Sequence, residues 1–233
     1  MSTDDSTANL WDGIKTDKCM SFDLDLTLIN TWAEIENLGK LDVFTGKNRP
    51  LRERIYTIDL HDVVTDPGEG VYSRMWGAYR PGWPRFYTFC RAYFKHIVIW
   101  SAGQPKYVDA IVDLLFPDPA FQPVLIYNYN HCVRVDEYTI HKPLKKIYED
   151  SRTKGIITPE KTFVLDDRDD TFSLNKGNGI LIPAYEIKPR ESHIMKDDTR
   201  LLELEKWLSL AHVANCKDVR TLDKSKIFSR KKK

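Results

Sequence analysis

Two apolar runs in this chain, far apart in the sequence, each end in closely spaced aspartates. The first run, at 18–22, is followed by Asp23 and Asp25, and the second, at 162–165, is followed by Asp166 and Asp167. Strand ends of this kind meet at one edge of an open parallel sheet, where α/β proteins form their sites. Buried carboxylates are costly unless a cation or a proton offsets their repulsion. The two clusters therefore predict one site built around a divalent metal.

The rest of the chain alternates between strand-like and helical patterns. Apolar runs predict strands at 96–100, 123–127 and 179–182, while amphipathic spacing predicts helices at 83–93, 106–116, 143–150 and 198–212. Such alternation is typical of a parallel sheet with helices on both faces. We therefore predict an α/β protein with a three-layer, Rossmann-like core.

The segment from about 31 to 79 has a different pattern of apolar and polar residues. Short β-like runs at 55–60 and 71–76 are separated by polar turns, which predicts a small antiparallel β insertion after the first strand. The predicted organisation is a flexible tail at 1–16, one α/β domain at 17–213 that contains this insertion, and a basic tail at 214–233. The last segment is either a nuclear-targeting or polyanion-binding stretch or a solvated chain end.

Composition excludes several classes of protein. Of the 233 residues 42% are hydrophobic and the formal net charge is +1, so no global charge bias indicates nucleic-acid or membrane binding. The four cysteines are scattered without zinc or redox spacing. No apolar stretch approaches the roughly 20 residues that span a bilayer, and the polar, acidic start does not resemble a secretory signal. We expect a soluble, intracellular protein, and the basic end is compatible with a nuclear location.

The sequence lacks the motifs of three well-known classes of phosphatase and nucleotide-binding protein. A cysteine phosphatase needs an arginine six positions after its cysteine, but Tyr138 stands six positions after Cys132. The six histidines are dispersed, which disfavours a dinuclear His/Asp metal centre. The chain also lacks the glycine-rich Gly-Lys-Ser/Thr loop of many NTPases.

Four stretches together resemble the haloacid dehalogenase superfamily. They read Phe-Asp-Leu-Asp-Leu-Thr-Leu at 22–28, Tyr-Arg-Pro-Gly at 79–82, Trp-Ser-Ala-Gly-Gln-Pro-Lys-Tyr at 100–107 and Val-Leu-Asp-Asp-Arg-Asp-Asp at 164–170. Within the superfamily they are most similar to the RNA polymerase II C-terminal domain phosphatases and their small, NLI-interacting-factor-like relatives. The resemblance covers about 18–185 and implies a phosphatase without a large cap domain.

The resemblance assigns catalytic and phosphate-binding roles to five residues. Asp23 would be the nucleophile that forms an aspartyl-phosphate, and Asp25 the general acid and then base. Thr27 and Ser101 would bind the phosphoryl group or order the loop, and Lys142 would supply positive charge. Taken singly, Ser101 is better explained as an ordinary turn or helix-capping serine. Lys142 alone is better explained as a solvated lysine, and Lys145 and Lys146 compete for its role.

The same resemblance implies a magnesium cofactor. Asp167 would be the acidic ligand, with Asp166 beside it as a ligand or a supporting group. Asp23 would also contact the metal, and Asp25 would do so through its main-chain carbonyl. Without the resemblance, the Asp-x-Asp-x-Thr sequence is equally an acidic turn.

The short insertion leaves room for an extended substrate. The predicted function is Mg²⁺-dependent dephosphorylation of phosphoserine or phosphothreonine in a protein or peptide, with the polymerase tail as one such substrate. A nucleotide or nucleic-acid-end phosphatase and a non-catalytic phosphoprotein-binding module are the alternatives. Some relatives carry an arginine after the third strand, where 127–132 has none, although Arg134 follows shortly. The sequence does not indicate an oligomeric state.

Overall fold

The fold is known from a computed structural model, which describes residues 15–228 except 42, 44–48, 62–69 and 71. Most of the predicted N-terminal tail and the last five residues of the predicted basic tail lie outside the described residues.

A five-stranded parallel sheet forms the centre of the molecule. Its order is β10-β9-β1-β5-β6, and every pairing is parallel. The strands are β1 (Cys19–Phe22), β5 (His96–Trp100), β6 (Leu125–Tyr127), β9 (Thr162–Asp166) and β10 (Gly179–Leu181). All five were predicted from apolar runs, so the parallel α/β core is confirmed.

Both faces of this sheet are buried, which explains why its strands read as continuous apolar runs. Along β5, Ile97 and Ile99 pack into one hydrophobic cluster. Val98 and Trp100 belong to a second cluster on the opposite face. Successive side chains of a strand point to opposite faces, so alternation between two clusters requires cover on each side. The predicted three-layer arrangement is therefore confirmed.

The insertion forms a separate antiparallel sheet of the order β2-β4-β3. It consists of β2 (Ile29–Trp32), β3 (Ile55–His61) and β4 (Tyr72–Tyr79), and β3 pairs with β4 over seven positions. This small sheet, rather than a large cap, lies between the first two motifs, as the sequence predicted. A third, two-stranded sheet of β7 (Val133–Arg134) and β8 (Ile140–His141) was not predicted.

The helices at the predicted positions are α3 (Trp83–Tyr93), α4 (Pro105–Leu115), α5 (Lys145–Glu149), α7 (Arg200–Leu208) and α8 (Ala211–Ala214), with a break between the last two. Three further described helices, of four residues each, are α1 (Glu36–Gly39), α2 (Arg49–Arg52) and α6 (Glu191–Ile194). The single helix predicted at 198–212 is wrong. Leu210 adopts an extended conformation with ψ of 133° and separates α7 from α8, while the Ser209 hydroxyl bonds the Glu205 carbonyl.

The chain continues to pack against the core beyond 213. Val219 and Ile227 are buried in the larger hydrophobic cluster, and the Lys18 Nζ donates to the Ala214 carbonyl at 2.6 Å. The predicted domain boundaries stay predictions, but residues 214–228 pack as part of the folded unit. Among the described helices, none has the length and apolar character needed to cross a membrane.

Candidate active site

The loop after β1 carries the first acidic pair. The strand register continues to Asp23, whose N–H donates to the Leu165 carbonyl at 3.0 Å. The chain then turns sharply at Leu26, which has a left-handed φ of 58°. Non-glycine residues rarely adopt this conformation, and it clusters at functional sites. The Leu26 carbonyl accepts the Tyr185 N–H at 2.6 Å, which helps hold the turn in place.

The last residue of β9 and the residue after it form the second acidic pair, which lies beside the first. Because β1 and β9 pair in parallel with Phe22 opposite Leu165, Asp166 stands next to Asp23 at the same sheet edge. The Asp166 Oδ1 accepts the Arg168 N–H at 2.9 Å, which orients that carboxylate. The two clusters predicted to meet from distant parts of the chain therefore do so.

Lys142 lies between the two clusters. Its Nζ is 2.6 Å from Asp23 Oδ1 and 2.7 Å from Asp166 Oδ2, and the side chain is 4% exposed. It follows β8 of the unpredicted hairpin rather than a strand of the parallel sheet. The Lys142 N–H donates to the Thr171 carbonyl at 2.7 Å, which fixes its backbone above the sheet edge.

Three carboxylates converge closely enough to share a cation. Oxygens of Asp23, Asp166 and Asp167 all lie within 4.8 Å of one another. Such a set of oxygen donors fits Mg²⁺, which binds through one or two carboxylates and keeps several waters. The Asp25 side chain is not part of this group and instead bonds Tyr107 and Thr31. The predicted metal contact of Asp25 through its carbonyl stays a prediction.

A cleft of about 300 Å³ opens over these groups. Its lining contains six of the seven predicted site residues, namely Asp23, Asp25, Ser101, Lys142, Asp166 and Asp167. The loops after β1, β5, β8 and β9 supply them. Residues far apart in sequence thus form one cavity.

Thr27 is the predicted residue that does not line the cleft. It is fully buried, and its Oγ1 accepts the Asp167 N–H at 3.1 Å and lies 3.3 Å from Asp167 Oδ1. Of the two roles predicted for Thr27, this placement favours the ordering of the loop, and the contact with substrate phosphate stays a prediction. The hydroxyl joins the two acidic loops, so Thr27 orders the site from below.

Ser101 lines the cleft and also serves a turn. Its Oγ accepts the Gly103 N–H at 3.0 Å. That contact uses an oxygen lone pair, so the hydroxyl proton can still be donated to a ligand. The phosphate-binding and turn-forming interpretations of Ser101 are therefore compatible.

Burial raises the pKa of three acidic side chains that line the cleft, and repulsion between carboxylates adds to the rise for two of them. Burial raises the pKa of Asp23, against the opposing effect of Lys142. Burial likewise raises the pKa of Asp25 and, together with the charge of Asp166, that of Asp167. Burial works against the charge of Lys142, but Asp166 and Asp23 outweigh it and raise its pKa. Lys142 and Arg168, which pairs with Asp170, are the two cationic side chains that line the cleft beside four aspartates. This excess of acidic groups favours a bound cation.

Arg80 is a buried residue to which the sequence assigned no role, although it stands in the 79–82 motif. Its guanidinium donates to the Thr27 carbonyl at 2.9 Å and to the Pro183 carbonyl at 2.7 Å. It also pairs with Asp198 at 3.1 Å, just before α7. Arg80 therefore ties the loop after β1 to the chain beyond β10.

We expect Arg80→Met to lower the free energy of unfolding by about 3 kcal/mol, because it leaves two carbonyls and a carboxylate without their buried partner. Turnover should fall with it, since the loop that carries Asp23 loses its support. Chemical denaturation measures the first effect. Arg74→Met is the matched control, since Arg74 pairs with Asp59 on the exposed surface, and it should change stability far less. Equal losses in the two variants would contradict this role of Arg80.

The parallel core, with acidic side chains that converge at the carboxyl ends of its strands, agrees with the haloacid-dehalogenase-like fold that the motifs indicated. A family model described as NLI interacting factor-like phosphatase matches residues 18–220. The chain belongs to that family, which confirms the resemblance seen in its motifs. No curated protein matches the chain.

Two solved structures share the fold. One is the fission yeast RNA polymerase II CTD phosphatase Fcp1, in a variant form bound to beryllium fluoride. It is 18% identical to this chain with a TM-score of 0.58, and the alignment covers 75% of this chain and 43% of that one. The other is titled as Fcp1, an essential RNA polymerase II CTD phosphatase, with 16% identity, a TM-score of 0.59, and alignment over 84% and 47%. This chain therefore aligns with less than half of the length of either structure.

Proposed function

We propose that this chain is a Mg²⁺-dependent phosphoprotein phosphatase that acts through an aspartyl-phosphate on Asp23. The observation that carries the proposal is the meeting of Asp23, Lys142, Asp166 and Asp167 in one cleft, with Asp25 two residues beyond Asp23 on its wall. A protein that only bound phosphate would not need a carboxylate nucleophile beside a second acid. Membership of a phosphatase family supports the same conclusion.

In the first step, a carboxylate oxygen of Asp23 attacks phosphorus. A new oxygen–phosphorus bond forms on Asp23 as the bond to the serine or threonine oxygen breaks, and Asp25 gives its proton to that departing oxygen. Lys142 holds Asp23 Oδ1 by a charged hydrogen bond. This fixes the orientation of the carboxylate and offsets the repulsion between it and an incoming phosphoryl group.

In the second step, water attacks the phosphorus of the aspartyl-phosphate. Asp25, now a carboxylate, removes a proton from the water, and the bond between phosphorus and Asp23 breaks. Inorganic phosphate leaves, Asp23 returns as a carboxylate and Asp25 regains its proton. Ser101 stays on the wall of the cleft and Thr27 beneath it throughout.

The donor set of the cleft fits a magnesium ion, with Asp167 and Asp23 as the residues that would hold it and Asp166 between them. When bound, Mg²⁺ would supply positive charge against the crowded carboxylates and the phosphoryl oxygens. Asp166 also bonds Lys142 through Oδ2, so it links the proposed metal to the lysine.

The openness of the cleft favours a phosphate carried on an extended partner. No described residue of β3 or β4 lines it, so the described part of the insertion sheet does not close over it as a large cap would. A phosphorylated peptide segment fits such a site. The named activity of the two structural neighbours makes the tail of RNA polymerase II the first substrate to try, which would place the protein in the nucleus.

A substrate panel tests this proposal. Purified protein with Mg²⁺ is given phosphoserine and phosphothreonine peptides, including polymerase-tail repeats, together with nucleotides and 5′- and 3′-phosphorylated oligonucleotides. Phosphate release from the peptides is expected. Release from nucleotides or oligonucleotides alone would favour the nucleic-acid alternative, and binding without release would favour a non-catalytic module.

Removal of divalent metal is expected to abolish turnover, and added Mg²⁺ to restore it. A readout independent of activity is the melting temperature, which Mg²⁺ should raise in the wild-type protein, because a ligand that binds only the folded state stabilises it. Asp167→Asn should abolish this rise, whereas Asp169→Asn should retain it, since Asp169 is exposed and lies outside the cleft. A rise that is the same in both variants would contradict the proposed metal site.

A further inference from the structure

Asp25 is held by a chain of hydroxyl groups that the proposed mechanism does not use. Tyr107 on α4 donates to Asp25 Oδ1, and Thr31 on β2 lies 3.3 Å from the same oxygen. The Thr31 hydroxyl is 2.6 Å from the hydroxyl of Tyr107 and 2.6 Å from that of Tyr56 on β3. Four side chains from four segments of the fold therefore meet in one hydrogen-bonded group.

Counting protons gives one consistent direction for these hydrogen bonds. Tyr56, Thr31 and Tyr107 each have one hydroxyl proton, and a carboxyl oxygen of Asp25 that carries no proton can only accept. If Tyr56 donates to Thr31, Thr31 to Tyr107 and Tyr107 to Asp25, every proton has an acceptor and the chain ends on Asp25 Oδ1. Linked hydroxyls that donate in one direction polarise one another, which strengthens the final bond.

Two glycines provide the space for this group. Gly77 on β4 stands opposite both Thr31 and Tyr56 in the insertion sheet. A Cβ at Gly77 would lie 2.3 Å from the Tyr56 hydroxyl oxygen, so only glycine lets Tyr56 reach across β4 to Thr31. A Cβ at Gly103 would lie 2.8 Å from the ring of Tyr107. The backbone is thus shaped around both tyrosines.

We infer that Tyr107, supported by Thr31 and Tyr56, is a positioning residue that orients Asp25 for proton transfer to the leaving oxygen. Tyr107 donates to Oδ1 and Thr31 lies beside the same oxygen, so Oδ2 is the oxygen left to carry the transferable proton. The insertion sheet, which supplies Thr31 and Tyr56, then acts on catalysis without lining the cleft. This inference rests on the proposed function, in which Asp25 is the acid.

Leaving-group dependence separates such a role from a structural one. Phenyl phosphate and p-nitrophenyl phosphate have nearly the same shape, but phenolate needs a proton to depart and nitrophenolate does not. The ratio of kcat/KM for the two esters therefore reports protonation of the leaving oxygen. Because kcat/KM covers events up to departure of that oxygen, slow hydrolysis of the aspartyl-phosphate does not affect it. Asp25→Asn sets the scale as the variant with the largest change in the ratio.

We expect Tyr107→Phe to lower kcat/KM for phenyl phosphate about tenfold more than for p-nitrophenyl phosphate, which is part of the 10²- to 10⁴-fold that a general acid typically contributes. Thr31→Val should shift the ratio in the same direction, and Thr31→Ser, which keeps the hydroxyl, should restore it. Tyr93→Phe is the matched control. It removes a buried tyrosine hydroxyl bond to the Leu208 carbonyl but should leave the ratio unchanged.

The outcomes distinguish this inference from the proposed function. If Asp25→Asn changes the ratio but Tyr107→Phe and Thr31→Val do not, the positioning role is refuted and the phosphatase proposal stands. If Asp25→Asn leaves the ratio unchanged, or the wild-type protein hydrolyses neither ester, the proposed function is refuted and this inference with it. Should Tyr107→Phe not fold, the pair of Thr31 variants decides the question.

Discussion

Asp23→Asn is expected to lower kcat/KM for an aryl phosphate by on the order of 10⁴-fold or more, because an amide cannot form the aspartyl-phosphate. The fold should persist, since asparagine has nearly the shape of aspartate and Lys142 keeps its pair with Asp166 at 2.7 Å. Steady-state kinetics measures the loss of activity, and thermal unfolding checks the fold.

The matched control is Asp169→Asn. The substitution makes the same chemical change within the second acidic stretch, but Asp169 is exposed and does not line the cleft. Its activity should stay close to that of the wild-type protein. Substantial turnover by Asp23→Asn would contradict the covalent route.

Lys142→Met should have a large effect on both stability and activity. It leaves Asp23 and Asp166 buried beside each other without the cation that both now bond. Removal of one partner from a buried ion pair typically costs about 3–5 kcal/mol, and we expect a loss of that size in urea unfolding without added metal. Activity should be lost as well, because nothing then offsets charge on the attacking oxygen.

Lys145→Met tests whether any nearby lysine has the same importance. The Lys145 side chain is 78% exposed and pairs with Glu149 on its own helix, so little change in stability is expected. A second variant, Lys142→Met with Asp166→Asn, should recover part of the stability because it removes one of the unpaired charges. If Lys142→Met is as stable as the wild-type protein, the charge arrangement described for the cleft is wrong.

The parallel core could be predicted from sequence because its strands are buried on both faces. The runs at 96–100 and 162–165 consist almost wholly of apolar residues, so their boundaries are visible without a structure. The acids that follow β1 and β9 could be predicted to meet because parallel strands share one edge at their carboxyl ends. Physical pattern alone therefore located most of the cleft.

Lys142 and the hairpin before it were harder to predict. In β7, Val133 and Arg134 are both exposed, so no alternation of apolar and polar residues marks the strand. The position of Lys142 between two aspartates depends on this hairpin and on its bond to Thr171. Only the resemblance to a family singled out this lysine, and no local pattern distinguishes it from its neighbours.

A second limit of prediction from sequence concerns where a side chain points, as Thr27 and Tyr107 show. The motif that contains Thr27 does not reveal that its hydroxyl points beneath the cleft to Asp167. The group of Tyr107, Thr31 and Tyr56 depends on three segments that meet only in the folded chain, across a glycine on a fourth. Periodicity shows that Tyr107 is on a buried helix face, but it does not show what its hydroxyl contacts.

Acid quench during turnover of a phosphopeptide is the most direct test of the central claim, namely that distant acids form one cleft in which Asp23 attacks phosphorus. Mass spectrometry of the digested protein then locates any bound phosphoryl group. We predict one phosphoryl group on the peptide that contains Asp23, labile to hydroxylamine as an acyl phosphate should be. Steady phosphate release with no label on Asp23, or with the label on another residue of the cleft, would contradict the account.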